Sequence, residues 1–227
     1  MRAGWPTLAA LALLWAGIAL PLHGEADPVV QVDFSNPGLT PSHWTLIIHP
    51  DGSGHFRSEW GNVTATVPQT SDSTRLDAPD QDRDIHLSAQ FSERLFQTAR
   101  SYRWFNVDCE SHRKVAFQGW KKLSYEGPEG QGSCKFNYSE DKRIQALGDS
   151  LVSVANTILE GARLEVLLQH DRLGLDKEME YLIEAQGDGR VQQIYAIRGI
   201  LARLADDPGV MERVRKRARL LLDKTEE

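Results

Sequence analysis

Cysteine is scarce in this chain of 227 residues, long apolar runs are few, and a surplus of positive charge is lacking. Cys109 and Cys134 are its two cysteines, so a multi-bridge scaffold is excluded and so is a zinc site of four thiolates. Lys and Arg number 26 against 32 Asp and Glu, and the net charge of −6 gives no general pull toward nucleic acid or an anionic membrane. The single long apolar run covers residues 8–20, and 13 residues fall short of the roughly 20 that a membrane-spanning helix requires. G-x-S-x-G, H-E-x-x-H, G-x-G-x-x-G and the P-loop pattern are also missing. Their absence excludes contiguous catalytic signatures only, because separated Ser, His and Asp residues can converge in space.

What is present begins with the marks of export. Arg2 precedes the apolar run, Pro21 ends it, and the small residues Gly24 and Ala26 stand three and one positions before a cut after Ala26. Residues 1–26 are therefore expected to be a cleaved signal peptide, with the remainder periplasmic or extracellular. No cysteine lies beside the cut, which excludes lipid attachment there. In an oxidising compartment two cysteines favour pairing, so a Cys109–Cys134 disulfide is expected.

The chain from residue 27 reads as strands followed by helices, the pattern of an α+β protein. After a polar, proline-containing lead, residues 44–49 and 55–60 form a hairpin around a five-residue Pro-Asp-Gly-Ser-Gly loop. Pairing His49 with His55 sets Ile48 opposite Phe56 and Trp44 opposite Trp60. Residues 62–67 add a third strand, 68–82 an acidic loop, 83–87 a short strand, and Ser88 or Ser92 caps one amphipathic helix. Residues 114–117 are a further strand candidate. Residues 121–125 and 134–138 form the second hairpin around the glycine-rich run 126–133, with Tyr125 opposite Cys134. Leu123, Tyr125, Cys134 and Phe136 then share the inward side.

Strand patterning stops at residue 140. Ile144, Leu147, Leu151, Val154, Ile158 and Ala162 step along one face of a long helix reaching about His170, with Gly161 a possible interruption. Apolar positions in 175–182, 191–204 and 210–222 mark three more helices. The expected organisation is a β-rich, disulfide-stapled unit over 27–139 and a helical domain or subdomain of about four helices over 140–227.

Candidate chemistry is sparse. His49 and His55 facing each other, with His86 or Asp51, would begin a metal site; solvated histidines at a hairpin end fit the pattern better, and neither a metal nor a cofactor is expected. Asp77, Asp80, Asp82 and Asp84 lack the spacing of an EF-hand and read as a solvated loop. Ser111 and Lys114 match S-x-x-K without its companion boxes. Trp44, Trp60, Trp104 and Trp120 read as core residues, although exposed aromatics would suggest a sugar or peptide platform. Arg213, Lys216 and Arg217 on the last helix are candidate binding cations. Asn62 and Asn137 open glycosylation sequons.

The two last helices, with Asp207, Pro208 and Gly209 between them and a basic-to-leucine run over 214–222, resemble a single HEAT-type helical repeat over residues 190–222. The resemblance implies helix-pair packing and a protein-binding surface. Taken together, the sequence points to an exported, non-enzymatic binding protein whose partner is a protein or envelope component, with a secreted hydrolase as the alternative.

Overall fold

The computed structural model describes residues 27–59 and 80–223. The leader 1–26, Trp60, the strand expected over 62–67, Asn62 and Asp77 lie outside the described residues. Six strands, β1 Val29–Ser35, β2 His43–Ile48, β3 Ser53–Glu59, β4 Gln81–His86, β5 Trp120–Gly127 and β6 Gly130–Phe136, form one sheet in the order β4-β3-β2-β1-β5-β6. Every pairing is antiparallel. Five helices accompany them: α1 Ala89–Ser101, α2 Lys142–His170, α3 Leu175–Gly187, α4 Arg198–Asp206 and α5 Glu212–Asp223. The α+β class and the count of four C-terminal helices agree with the sequence reading. No helix among the described residues is long and apolar enough to cross a membrane.

The sheet has one buried and one open face, because side chains alternate along each strand. Val30, Val32, Leu46, Ile48, Phe56, Leu123 and Phe136 are buried on the inner face beneath α1 and the first half of α2. Gln31, Asp33, Thr45, His55, Lys122 and Lys135 occupy the outer face. Strand β1 corrects the expectation of a polar lead. It is central, paired with both β2 and β5, and its Val30, Val32 and Phe34 alternate with Gln31 and Asp33.

Both hairpins keep their expected faces but sit two residues out of the expected register. Leu46, not Ile48, faces Phe56, and Trp44 faces Ser58. The turn decides this: His49 and Ser53 close a three-residue loop in which Gly52 takes φ +87°, a conformation that costs glycine little. In the second hairpin Leu123 faces Cys134 and Lys121 faces Phe136. The run expected as a long loop is mostly strand, turning at Pro128 and Glu129 alone. Its glycines serve close packing, since a Cβ on Gly130 would lie 2.5 Å from the Trp104 ring and one on Gly132 would lie 2.6 Å from the Trp104 carbonyl oxygen.

Cys109 and Cys134 are bonded, with Cα atoms 5.7 Å apart, as expected. Helix α1 is capped by Ser88, whose hydroxyl accepts from the Phe91 amide, and α2 by Asp141, which accepts from Arg143 and Ile144. Helix α2 runs unbroken through Gly161 and joins two cores. Ile144, Leu151, Val154 and Ile158 belong to the sheet core, whereas Leu164, Leu167 and Leu168 pack with α3, α4 and α5. Two expectations need adjustment. Residues 114–117 form no strand, and the third helical stretch is a 3₁₀ turn over Ile194–Ile197 leading into α4.

Candidate functional site

One end of the sheet, where β1 ends and β5 begins, carries an unusual surface. Residues 112–118 (His-Arg-Lys-Val-Ala-Phe-Gln) are all exposed and have no regular structure. A buried side chain fixes this loop. Asn137 accepts from the Gln118 amide at 2.7 Å through Oδ1 and donates to the Ala116 carbonyl at 3.1 Å through Nδ2. Asn36, in the loop after β1, donates to the Gln118 carbonyl at 3.2 Å. The loop is therefore tied at its base while its tip stands in water.

That tip is apolar. Among the described residues six large hydrophobic side chains are exposed, and four of them are here: Leu39 (50%), Val115 (41%), Phe117 (49%) and Trp120 (36%). Phe117 meets Trp120 edge-on with ring centroids 6.0 Å apart. Single exposed apolar residues are ordinary, but a concentration of them at one end of a sheet points to an interaction site.

Positive charge surrounds the group. Lys122 and Lys135 stand directly opposite each other on the open face, a like-charge arrangement that destabilises a sheet. The Lys135 ammonium lies 4.7 Å above the Trp120 ring. Nearby carboxylates accept from other groups: Asp33 of β1, which stands opposite Lys122, from Gln31 and Thr45, Asp108 from His112, Glu110 from the Asn137 amide, and Glu140 from Arg113. Lys114, Lys122 and Lys135 have no ion-pair partner among the described residues.

Beneath this surface Lys121 points inward and is 3% exposed. Its ammonium donates to the Asn137 carbonyl at 3.2 Å, lies 3.9 Å from Asp149 and 5.5 Å from the centre of the Phe136 ring. Burial lowers its pKa, and the Asp149 and Glu110 carboxylates oppose that shift. Lys121 thus braces the base of the loop from inside.

A separate polar cleft of about 420 Å³ opens at the other end of β5 and β6, lined by Gln31, Asn106, Ser124, Glu126, Gln131 and Ser133 among others. The Ser124 hydroxyl is buried there without a hydrogen-bond partner. Among the described residues no histidine, lysine or arginine lines the cleft to activate that hydroxyl. Tyr125 faces away, stacked on Trp104 at 4.8 Å, with its hydroxyl donating to Glu129 at 2.5 Å. Burial, then the Glu129 carboxylate, pushes its pKa up to about 12.

The sequence candidates separate. His49 does not face His55; Ile47 does. His55 lies between Asp84 and Asp82, each 2.9 Å from a ring nitrogen, so the two carboxylates hold opposite sides of the ring instead of converging on an ion. Hydrogen bonding to Asp84, and then to Asp82, raises the His55 pKa against the opposing effect of burial. Asp51 accepts from Ser53, and His86 packs against Tyr195. No group of three metal-ligating side chains occurs among the described residues. The Ser111 hydroxyl accepts from the Arg113 amide in the exposed loop, not at a helix start. Arg213 and Arg217 both reach Asp176 of α3, at 2.6 and 2.5 Å, and Lys216 stays exposed. These arginines pin α5 to α3.

Trp44 is in the core, stacked on Phe34, and Trp104 is half-buried, but Trp120 overturns its core assignment. The signal was present. An inward Leu123 and Tyr125 put Trp120 and Lys122 on the opposite face. Phe117 and Val115, read as strand residues, carried no such mark. The chain matches no protein-family model and no curated protein.

Proposed function

We propose that this chain is an exported, non-enzymatic binding protein of the periplasm or exterior, engaging an envelope component through the end of the sheet around Phe117 and Trp120. One observation carries the reading: a loop anchored by the buried Asn137 holds apolar side chains in water beside lysines that have no ionic partner among the described residues. Such an arrangement costs stability locally, and sequences accept such costs at functional sites. The signal-like residues 1–26 and the Cys109–Cys134 bond support export.

The test is a pull-down from the producing cells' envelope fraction, with residues 27–227 as bait, in parallel with a Phe117→Ser/Trp120→Ser variant of the same bait. Specific recovery by the native sequence and loss in the variant are expected. Recovery unaffected by the variant would move the binding surface elsewhere. No specific recovery by demonstrably folded bait would contradict the reading and turn attention to a hydrolase substrate panel.

A further inference from the structure

We infer that the partner is the surface of an anionic lipid bilayer, which the protein docks on peripherally with the Phe117–Trp120 end of its sheet. This rests on the binding reading above and names the partner's class. Two features select a bilayer. Leu39 lies in loop 36–42 and Val115 and Phe117 in loop 112–118, two loops joined by the Asn36–Gln118 hydrogen bond, and Trp120 opens β5 beside them. They are exposed side chains and not the lining of a cleft, and both described clefts lie at the opposite end of the strands. An exposed apolar group of this kind suits a partner that deforms around it, which lipid does readily and a folded protein does only with a matching cavity.

The second feature is charge. Lys114 lies in loop 112–118, and Lys122 and Lys135 lie on the open face with Lys135 over Trp120. None of the three has an ion-pair partner among the described residues, although Asp33 of β1, which accepts from Gln31 and Thr45, stands opposite Lys122. Anionic headgroups would add counter-charge at Lys114 and Lys135 and relieve the repulsion between Lys122 and Lys135 across β5 and β6. Trp120, an amphipathic ring beneath the Lys135 ammonium, suits the headgroup level. The net charge of −6 does not oppose this, because salt screens charges beyond about 8 Å and the patch acts locally.

Flotation with lipid vesicles tests the proposal on protein purified as its cells process it, wild type and variants sharing one N-terminus. The native protein should float with phosphatidylglycerol-containing vesicles and not with pure phosphatidylcholine, and added salt should weaken the association. Each surface lysine contributes roughly fivefold near an anionic surface, so Lys122→Gln/Lys135→Gln should weaken binding roughly 25-fold. Phe117→Ser should weaken it while leaving the salt dependence in place. Absence of flotation with anionic vesicles overturns the proposal, as does equal flotation of the native and lysine variants. Retention on immobilised polyglutamate without flotation would instead identify an acidic protein partner. If vesicle binding fails while the envelope pull-down still depends on Phe117 and Trp120, the lipid class falls and the binding reading stands. If both fail, both fall.

Discussion

Asn137 shows how one side chain organises the exposed loop. Its amide makes two hydrogen bonds to loop backbone while 7% exposed, and its own backbone carbonyl accepts from Lys121. Replacing it with alanine leaves the Gln118 amide and the Ala116 carbonyl without their side-chain partner, at a cost of about 1–3 kcal/mol. Urea denaturation should register that loss, and amides of residues 112–118 should exchange faster. Unchanged exchange would mean that something else fixes the loop. The same geometry bears on the Asn137 sequon, because the acceptor nitrogen of the folded chain is buried and committed to Ala116. His55 provides a pH-dependent contact at the same scale. Its pKa is raised by Asp84 and Asp82, so the stability it contributes is full below the ordinary unfolded value of about 6.5 and is lost as pH rises through the higher folded value. The NMR titration midpoint of His55 should lie above 6.5 and fall in Asp84→Asn. A midpoint at or below the ordinary value would contradict the paired geometry.

At the scale of elements, helix α2 sets a contest between propensity and packing. Alanine is favoured over glycine by about 1 kcal/mol inside a helix. A Cβ at Gly161, however, would lie 2.4 Å from Cγ2 and 3.0 Å from Cβ of Ile197, a stiff β-branched neighbour. Overpacking of this kind costs roughly 1–3 kcal/mol, so Gly161→Ala should destabilise by about 1 kcal/mol in urea. Gly187, at the end of α3, has open space around its Cβ position. Gly187→Ala should be neutral or stabilising by up to about 1 kcal/mol. The opposite ranking would place α2 wrongly against the 3₁₀ turn.

The elements also show what was legible in the sequence. Alternation with period two fixes which face a residue takes, and both hairpins kept their faces. It does not separate registers that differ by two residues, which the turn selects, and Gly52 and Gly130 do so here through backbone geometry and close packing. Strand β1 was hidden because the prolines that flank it, Pro28 and Pro37, and its polar alternate positions resemble a loop until its partners are known. Loop 112–118 was hidden because its apolar residues look like a strand, and the Asn137 side chain that holds it out comes from a distant position.

For the whole molecule, α2 matters more than the boundary expected near residue 140. Its first half completes the sheet core and its second half completes the helical core, so the two regions share one helix. The disulfide secures the sheet side across a sequence separation of 25. A closed loop of that size is worth about 3 kcal/mol in the chain-entropy model, and Cys109→Ser/Cys134→Ser should lose about that much in urea. Arg213 and Arg217 secure the helical side through Asp176, and Lys216 is the cation of that α5 set, first read as a binding surface, with no ion pair among the described residues.

Lysine footprinting in the native envelope fraction separates these two surfaces. An amine-acylating reagent would be applied to the protein in that fraction and to the purified protein, with labelling compared site by site. Protection of Lys114, Lys122 and Lys135 in the envelope is expected, with Lys142, Lys177 and Lys216, all exposed, labelling equally in both samples. Equal labelling of all six, or protection at Lys216 alone, would contradict the placement of the binding surface at the Phe117–Trp120 end of the sheet.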